Sequence, residues 1–198
     1  MSISNAHRRT KGLLIVLSGP SGVGKDAALA EFLSTCPGAV RCVTATTRAP
    51  RDGEEHGKDY HFLDLEEFRR MVAAGEFLEY ATVHNNCYGT PRKWVEDALA
   101  AGTDVILKID VQGGLAVKKL MPRAIAVFLA PPSIEELERR LRARLTDSQQ
   151  DIAKRLSDAK GELDHIPDYD YLIENDALAD AVDRLRCIII AERSKIER

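Results

Sequence analysis

The sequence predicts an α/β fold with a mostly parallel sheet flanked by helices, and three observations support this prediction. Short runs of apolar, often branched residues alternate with longer stretches of helical periodicity. A glycine-rich turn directly follows the first apolar run. The chain has 198 residues, 44% of them hydrophobic, which is typical of one folded domain with small insertions.

Four apolar runs are predicted to be buried strands. The first covers residues 12–17 and leads into a turn at residues 19–22. The others cover residues 105–109, 125–129 and 171–174. Short apolar runs that are bounded by turn residues are typical of strands covered on both faces.

Helices are predicted between these strands, at residues 25–33, 152–163 and 177–194. A further helix should follow Ser133, because Ser133 and Glu136 have the spacing of a capping box, in which each side chain binds the other residue's backbone amide. Its buried stripe would be Ile134, Leu137, Leu141 and Leu145. Its favourable charge pairs would be Glu135–Arg139, Glu136–Arg140 and Glu138–Arg142.

Composition excludes several classes of protein. The 28 lysines and arginines nearly balance the 31 aspartates and glutamates, so the net charge of −3 predicts neither a nucleic-acid partner nor a membrane partner. The first apolar run is far shorter than the ~20 residues that span a bilayer. Scattered cysteines without metal-ligand spacing suit reduced thiols and a cytoplasmic location. They are Cys36, Cys42, Cys87 and Cys187.

Residues 44–92 do not fit the alternation of strand and helix. The segment is rich in polar residues, glycine and proline, and it is too long for a bare loop in a compact domain. We interpret it as an inserted subdomain of short strands around one helix at residues 65–74. A surface β-meander is the alternative, and composition does not distinguish the two.

The strongest functional signal is GPSGVGK at residues 19–25, between a predicted strand and a predicted helix. It matches the first seven residues of the phosphate-binding pattern GxxxxGK[ST] in the required context. Glycines let backbone amides turn toward phosphate oxygens, and the helix N-terminus and a lysine add positive potential. The predicted phosphate-binding residues are Gly19, Pro20, Ser21, Gly22, Val23, Gly24 and Lys25.

The eighth position of the pattern is Asp26, where serine or threonine would place a hydroxyl on Mg²⁺. A carboxylate is a hard oxygen ligand and could hold the metal directly. It also brings a negative charge beside polyphosphate, and two like charges ~4 Å apart repel by about 4 kcal/mol at an effective dielectric constant of ~20. Either Mg²⁺ or a lysine must therefore offset the charge of Asp26.

A second group of residues suits a nucleoside monophosphate. Arg48 and Arg51, with Tyr60 and Tyr88, supply guanidinium and phenol donors for a phosphate monoester. The carboxylate of Glu79 can accept two parallel N–H bonds, which matches the edge of guanine and opposes that of adenine. The alternative for the two arginines is a solvated charged surface.

From residue 10 to residue 194 the chain resembles the guanylate kinase family. The resemblance is carried by GPSGVGK, TTRxPRxGExxGxDYHF (46–62), GEFLEYA (75–81), YGTP (88–91), IDVQG (109–113) and APPSIEELERRL (130–141). It implies a P-loop nucleoside monophosphate kinase fold and Mg²⁺-dependent transfer of phosphate from ATP to GMP by a monomer or homodimer. The expected parts are a core (10–43, 93–132 and 165–198), a GMP-binding insert (44–92) and a small helical lid (133–164).

The resemblance also implies roles for individual residues. Thr44 and Glu79 would contact guanine. The GMP phosphate would be held by Arg48, Arg51, Tyr60 and Tyr88, with support from Glu54 and Thr90. Asp110 would lie near nucleotide and metal, although an N-cap role fits its position equally well. The lid arginines that close on the ATP phosphates would be Arg140, Arg144 and Arg155, and Asn175 would lie near adenine.

Three positions depart from the family pattern. Asp26 replaces serine or threonine, Lys108 stands where an acid is usual, and Leu145 replaces a lid glycine. We hypothesise that Lys108 faces Asp26, within ~6 Å, so that the two changes offset each other. Aspartate in the loop also resembles ribose 1,5-bisphosphate phosphokinase, which lacks the 46–62 motif. A non-catalytic binding module of the kind found in scaffold proteins is the third hypothesis.

Overall fold

The structure is a computed structural model that describes residues 11–83, 85–143 and 149–196. The chain begins with β1 (Leu14–Ser18), α1 (Lys25–Thr35) and β2 (Ala39–Arg41). Next come β3 (Ala45–Thr46), β4 (His61–Phe62), α2 (Leu65–Ala73), β5 (Phe77–Val83) and β6 (Asn86–Pro91). They are followed by α3 (Arg92–Ala100), β7 (Asp104–Lys108), α4 (Val111–Leu120) and β8 (Ile125–Ala130). The last elements are α5 (Ile134–Arg142), α6 (Gln149–Leu163), a 3-10 turn (Ile166–Asp168), β9 (Tyr171–Glu174) and α7 (Leu178–Arg193).

Five parallel strands form the central sheet, in the order β2-β7-β1-β8-β9. The four strands predicted from the sequence are all present, with bounds shifted by up to two residues. The fifth, β2, is only three residues long and half-buried, so it gives no apolar run to detect. The predicted α/β class with a mostly parallel sheet is confirmed.

The central strands are buried on both faces, which explains their unbroken apolar runs. Side chains alternate along β1: Ile15 and Leu17 pack in a cluster with Phe32 of α1 and Leu185 of α7. The neighbours of these two strand residues, Leu14 and Val16, pack on the other face. There they join a cluster with Val95 of α3 and Val117 of α4.

Residues 45–91 contain a second sheet, in the order β4-β3-β6-β5. Its pairings are antiparallel except for β3 with β4. Helix α2 packs on this sheet through Phe68, whose ring lies 4.7 Å from that of Phe77. Together with Ala45 these residues form a small separate core. Asp64 caps α2 by accepting a 2.7 Å hydrogen bond from the amide of Glu67.

Helices α5 and α6 form a further cluster around Leu137, Leu141 and Ile152. Ser133 caps α5, since its hydroxyl accepts a 3.1 Å bond from the amide of Glu136. The predicted second bond of the capping box, in which the Glu136 carboxylate accepts from the Ser133 amide, is wrong. That carboxylate accepts hydrogen bonds from two arginines instead. The donors are Arg139 and Arg140, both at 2.6 Å from Nε.

The other charge pairs of α5 follow from this arrangement. Glu136–Arg140 and Glu138–Arg142 are present as predicted. Arg139 pairs with Glu136 rather than with the predicted Glu135. Leu145, which the sequence placed on the buried stripe, lies outside the described residues. Among those that are described, no helix has the length and apolarity needed to cross a bilayer.

Candidate active site

A cleft of about 230 Å³ opens where β1 and β7 end, at the edge of the central sheet where ligands bind in open α/β folds. The loop after β1 forms one side of the cleft and the second sheet forms the other. Helix α6 contributes Arg155 and Glu162. Residues of the loop after β1, of the second sheet and of α6 therefore line one cleft.

The loop at residues 19–25 has the backbone of a phosphate cradle. Gly19, Gly22 and Gly24 have φ values of +143°, +89° and +99°, which side chains other than glycine rarely adopt. A Cβ at Gly24 would lie 2.6 Å from Nδ2 of Asn175. Asn175 is buried, and that same Nδ2 donates a 2.8 Å bond to the carbonyl of Val23. Asn175 thus fixes the loop from behind.

Lys25 begins α1 and folds back over the loop. Its Nζ donates to the carbonyl oxygens of Gly19 and Pro20, the latter at 2.9 Å. Burial lowers the pKa of Lys25 to about 8, against the attraction of Glu162 and Asp26, which acts in the opposite direction. The ammonium of Lys25 thus lies at the mouth of the cradle, where a phosphate oxygen could replace the two carbonyl oxygens as its hydrogen-bond acceptor.

Asp26 and Lys108 form an ion pair across the cleft. Lys108 Nζ donates to Asp26 Oδ1, so the hypothesis that these residues face each other is confirmed. Desolvation favours the neutral acid, but the attraction and hydrogen bond of Lys108 outweigh it and lower the pKa of Asp26 below its ordinary value. The added charge in the loop is therefore compensated within the chain.

Arginine and tyrosine side chains meet on the second sheet. Nη2 of Arg48 donates to Oε1 of Glu54 at 2.9 Å, and Oε2 of Glu54 accepts from the backbone amide of Arg51 at 2.8 Å. The Arg48 guanidinium lies 5.5 Å from the Tyr60 ring centre, and that ring lies 6.1 Å from the ring of Tyr88. The hydrogen bond to Arg48 lowers the pKa of Glu54.

Glu79 lies at the inner end of the same cleft and is 6% exposed. Oε1 of Glu79 accepts a 2.5 Å hydrogen bond from the Thr90 hydroxyl. Burial raises the pKa of Glu79 to about 7, in spite of that hydrogen bond. Thr44 is buried beside the cleft, so the two residues expected to contact guanine share one wall.

The N-cap interpretation of Asp110 is confirmed, and the residue also lines the cleft. It caps α4, because its Oδ1 accepts a 2.8 Å bond from the amide of Gly113. It also lines the cleft, and its charge contributes to the raised pKa of Glu79. A residue can thus hold a helix terminus and still set the electrostatics of the site.

Two of the three predicted lid arginines reach the phosphate loop. Nη1 of Arg155 donates to the hydroxyl of Ser21 at 3.1 Å. Arg140 approaches the carbonyl of Val23 at 3.4 Å while Glu136 holds its Nε. Arg144 lies outside the described residues.

Two charged residues were not predicted from the sequence: Glu162, which lines the cleft, and Arg41, which lies beside the cleft residue Tyr60. Glu162 lies seven residues after Arg155, and that spacing puts both on one face of α6, a signal that was available. Arg41 had no such signal. Its guanidinium donates to the carbonyl of Asp59 and lies 5.9 Å from the Tyr60 ring centre, because β2 ends beside the second sheet.

The donor set fits a nucleotide-bound metal ion rather than a protein-held one. Among the described residues, no three histidine, cysteine or acidic side chains converge as ligands. Mg²⁺ on a nucleotide needs only one or two protein oxygens, since phosphates and water supply the rest. Asp26, at the mouth of the cradle with Oδ1 on Lys108, offers a carboxylate oxygen of this kind.

A phosphate cradle facing a second sheet and a helical lid defines a P-loop nucleoside monophosphate kinase fold. The family model described as guanylate kinase matches residues 11–192. The chain is 49% identical over 180 residues to the guanylate kinase of Dechloromonas aromatica, covering 91% of this chain and 89% of that protein. It is 48% identical over 190 residues to the guanylate kinase of Symbiobacterium thermophilum, with coverages of 96% and 90%.

A solved structure agrees with these relatives. The crystal structure of guanylate kinase from Anaplasma phagocytophilum matches with a TM-score of 0.80 and 38% identity, covering 95% of this chain and 89% of that one. The chain therefore belongs to the guanylate kinase family, a family of ATP-dependent phosphotransferases.

Proposed function

We propose that this chain transfers the γ-phosphate of ATP to GMP, with the donor in the cradle at residues 19–25 and the acceptor on the second sheet. Family membership supports the reaction itself. The observation that supports the seating is that Lys25, Arg51 and Glu79 line one cleft. A donor phosphate on Lys25 then faces an acceptor phosphate on Arg51.

The acceptor is selected at both of its ends. Arg48 and Arg51 bind the phosphate, and Glu54 orients them by accepting from the side chain of one and the backbone of the other. Tyr60 and Tyr88 add phenol donors beside them. At the inner end, ionised Glu79 accepts the N1–H and N2–H of guanine, while the acceptor nitrogen N1 of adenine would repel it.

The chemistry asks the protein to position two phosphates and to stabilise spreading negative charge, because the transition state is loose and forms no covalent intermediate with the enzyme. Lys25 supplies one cation at the donor, and Arg140 and Arg155 supply two more from the lid. Their contacts to Val23 and Ser21 already place them at the loop. A closed lid also excludes water, which would otherwise accept the phosphate.

We propose that Mg²⁺ enters with ATP and that Asp26 is its protein ligand. The ion would neutralise charge on the donor phosphates. We also propose a cytoplasmic location, where both nucleotides are available. The sugar-phosphate kinase and the non-catalytic module are not favoured, since relatives at 48–49% identity over nearly the whole chain are guanylate kinases.

A coupled assay of ADP release tests the proposal. GMP is compared with AMP, CMP, UMP and ribose 1,5-bisphosphate at several Mg²⁺ concentrations. We expect rapid ADP release with GMP and little with the other acceptors. Turnover of the sugar bisphosphate without turnover of GMP would overturn the proposal, as would nucleotide binding without any turnover. The Lys25→Met variant, which removes the donor cation, measures the background.

A further inference from the structure

The pair Asp26–Lys108 joins the two sides of the cleft. Asp26 is the second residue of α1, and Lys108 is the last residue of β7, the strand beside β1. The Lys108 side chain is 11% exposed, whereas that of Asp26 is 71% exposed. The ammonium is therefore confined, and the carboxylate stands at the cleft mouth, where donor phosphates would enter.

Lys108 has a fixed environment. Its ammonium lies 5.6 Å from the Tyr60 ring centre, and the Arg48 guanidinium lies 5.5 Å from the same centre. A lysine ammonium beside an aromatic face gains cation–π attraction in addition to its ion pair. Lys108 consequently has few other positions available, and the position it has is on Asp26.

An uncompensated Asp26 would oppose the donor. Asp26 directly follows Lys25, and both residues line the cleft. Its carboxylate therefore lies close to the phosphates that the lysine would attract. Where serine or threonine stands in the usual pattern, no such charge is present. In this chain Lys108 is the nearest cation, and Lys25 and Arg41 act on Asp26 more weakly.

We propose that Lys108 is a positioning residue for the donor nucleotide, which holds Asp26 and cancels its charge so that the loop binds ATP even without a metal ion. The proposal rests on the proposed function only in taking ATP as the ligand of the cradle. Lys108 acts through Asp26 and not by contact with phosphate. Removal of the lysine should therefore matter only while the aspartate carries its charge.

Calorimetric titration with ATP in EDTA, without an acceptor, tests this. We compare the wild type with Lys108→Met, Lys108→Arg, Asp26→Asn and the double variant Asp26→Asn/Lys108→Met. Lys108→Met should weaken ATP binding about tenfold or more, because it leaves one unpaired negative charge beside the phosphates. Lys108→Arg and the double variant should both bind within about threefold of the wild type, since neither leaves that charge uncompensated.

Two controls separate a local effect from damage to the fold. Lys118→Met removes another partly buried lysine–aspartate pair, with Asp170 at 2.6 Å, away from the cleft, and should leave ATP affinity unchanged. In Lys108→Met, GMP affinity should change less than ATP affinity, because the lysine pairs with Asp26 and lies 5.6 Å from the centre of the Tyr60 ring. Thermal unfolding confirms that each variant is folded.

Two results would overturn the inference. One is unchanged ATP affinity in folded Lys108→Met. The other is a double variant that binds ATP as poorly as Lys108→Met, which would mean that the lysine contacts phosphate directly. Because no acceptor is present, neither result depends on whether GMP is the substrate.

Discussion

The hydroxyl of Thr90 donates a 2.5 Å hydrogen bond to Oε1 of Glu79, and both side chains are buried. The bond fixes the carboxylate in one orientation within the cleft. It satisfies only part of the acceptor capacity of an ionised carboxylate, which can receive several bonds. The remaining capacity is what a guanine edge would use.

Glu79→Gln should raise the KM for GMP by about 100-fold or more, because an amide replaces one acceptor oxygen by a donor that opposes the N–H groups of guanine. The KM for ATP should change little. Steady-state kinetics with each substrate varied measures both values. Glu76→Gln is the control, since Glu76 is on the same segment but pairs with Arg70 on the surface. Equal KM values for GMP in the two variants would refute the role of Glu79.

Glu79 should also give the enzyme a characteristic pH dependence. Its pKa of about 7 means that the free enzyme loses the ionised acceptor below pH 7, so kcat/KM for GMP should fall there.

The raised pKa of Glu79 also affects stability. The folded state binds the proton more tightly than the unfolded chain, so the contribution of Glu79 to the free energy of unfolding falls as pH rises from 4.5 to 7. Glu79→Gln should then be more stable than the wild type at pH 8, by about 3 kcal/mol at 1.36 kcal/mol per unit of pKa shift. Chemical denaturation at pH 5 and pH 8 measures this, and an equal difference at both values contradicts it.

The strands and the phosphate loop could be predicted because their signals are local. A run of apolar residues or a GxxxxGK spacing is complete within a few positions. The Lys108–Asp26 pair is a different case. Residues 82 positions apart were linked only because both departed from one family pattern, and charge balance suggested the link.

Other contacts could not be predicted, because several partners were within reach of one side chain. Glu135 and Glu136 both lie within a turn of Arg139, and only the folded geometry shows that Arg139 binds the second. Arg41, the last residue of β2, lies beside the Tyr60 ring only because the folded chain brings the end of β2 next to the second sheet. No periodic pattern in the sequence indicates this contact. Asp110 was given two interpretations: the N-cap is confirmed, and the role near nucleotide and metal stays a prediction for a residue that lines the cleft.

Glu54→Gln should raise the KM for GMP about tenfold with a small effect on kcat, because the charge-assisted bond that orients Arg48 is weakened. The matched control is Glu67→Gln, which breaks a comparable pair with Arg70 on α2, outside the cleft. Steady-state kinetics at saturating ATP distinguishes the two variants. A KM for GMP that rises equally in both would indicate a general loss of stability in the second sheet.

Arg155→Met should lower kcat by about 100-fold or more and change the KM for GMP little, since lid cations act mainly on charge that develops in the transition state. Arg142→Met provides the comparison, because Arg142 lies on the exposed face of α5 and pairs with Glu138. Single-turnover measurements isolate the chemical step. If the two variants react at the same rate, Arg155 has no role in it.

Gly24→Ala should destabilise the protein and weaken ATP binding. Residue 24 has a positive φ, which alanine rarely adopts, and the new Cβ would lie 2.6 Å from Nδ2 of Asn175. Strain of the backbone alone is typically about 1–3 kcal/mol. Gly75→Ala isolates that contribution, since Gly75 also has a positive φ of +68° but has no atom within 4 Å of the added Cβ. Thermal unfolding should show a larger loss for Gly24→Ala. A smaller loss there than at Gly75 would mean that the loop adjusts to the clash.

Two apolar clusters outside the central sheet bear on how this enzyme can move. Phe68 and Phe77 pack within the second sheet and its helix, and Leu137 and Leu141 pack with α6. Each outlying part carries its own interior with it. Rotation of either part relative to the central sheet would therefore leave its internal packing intact and change the contacts at its boundary, such as the bond between Arg155 and Ser21 and the packing of Leu78 of β5 in the cluster of Val95 and Val117. Hinge bending between these parts would then require little rearrangement inside any of them.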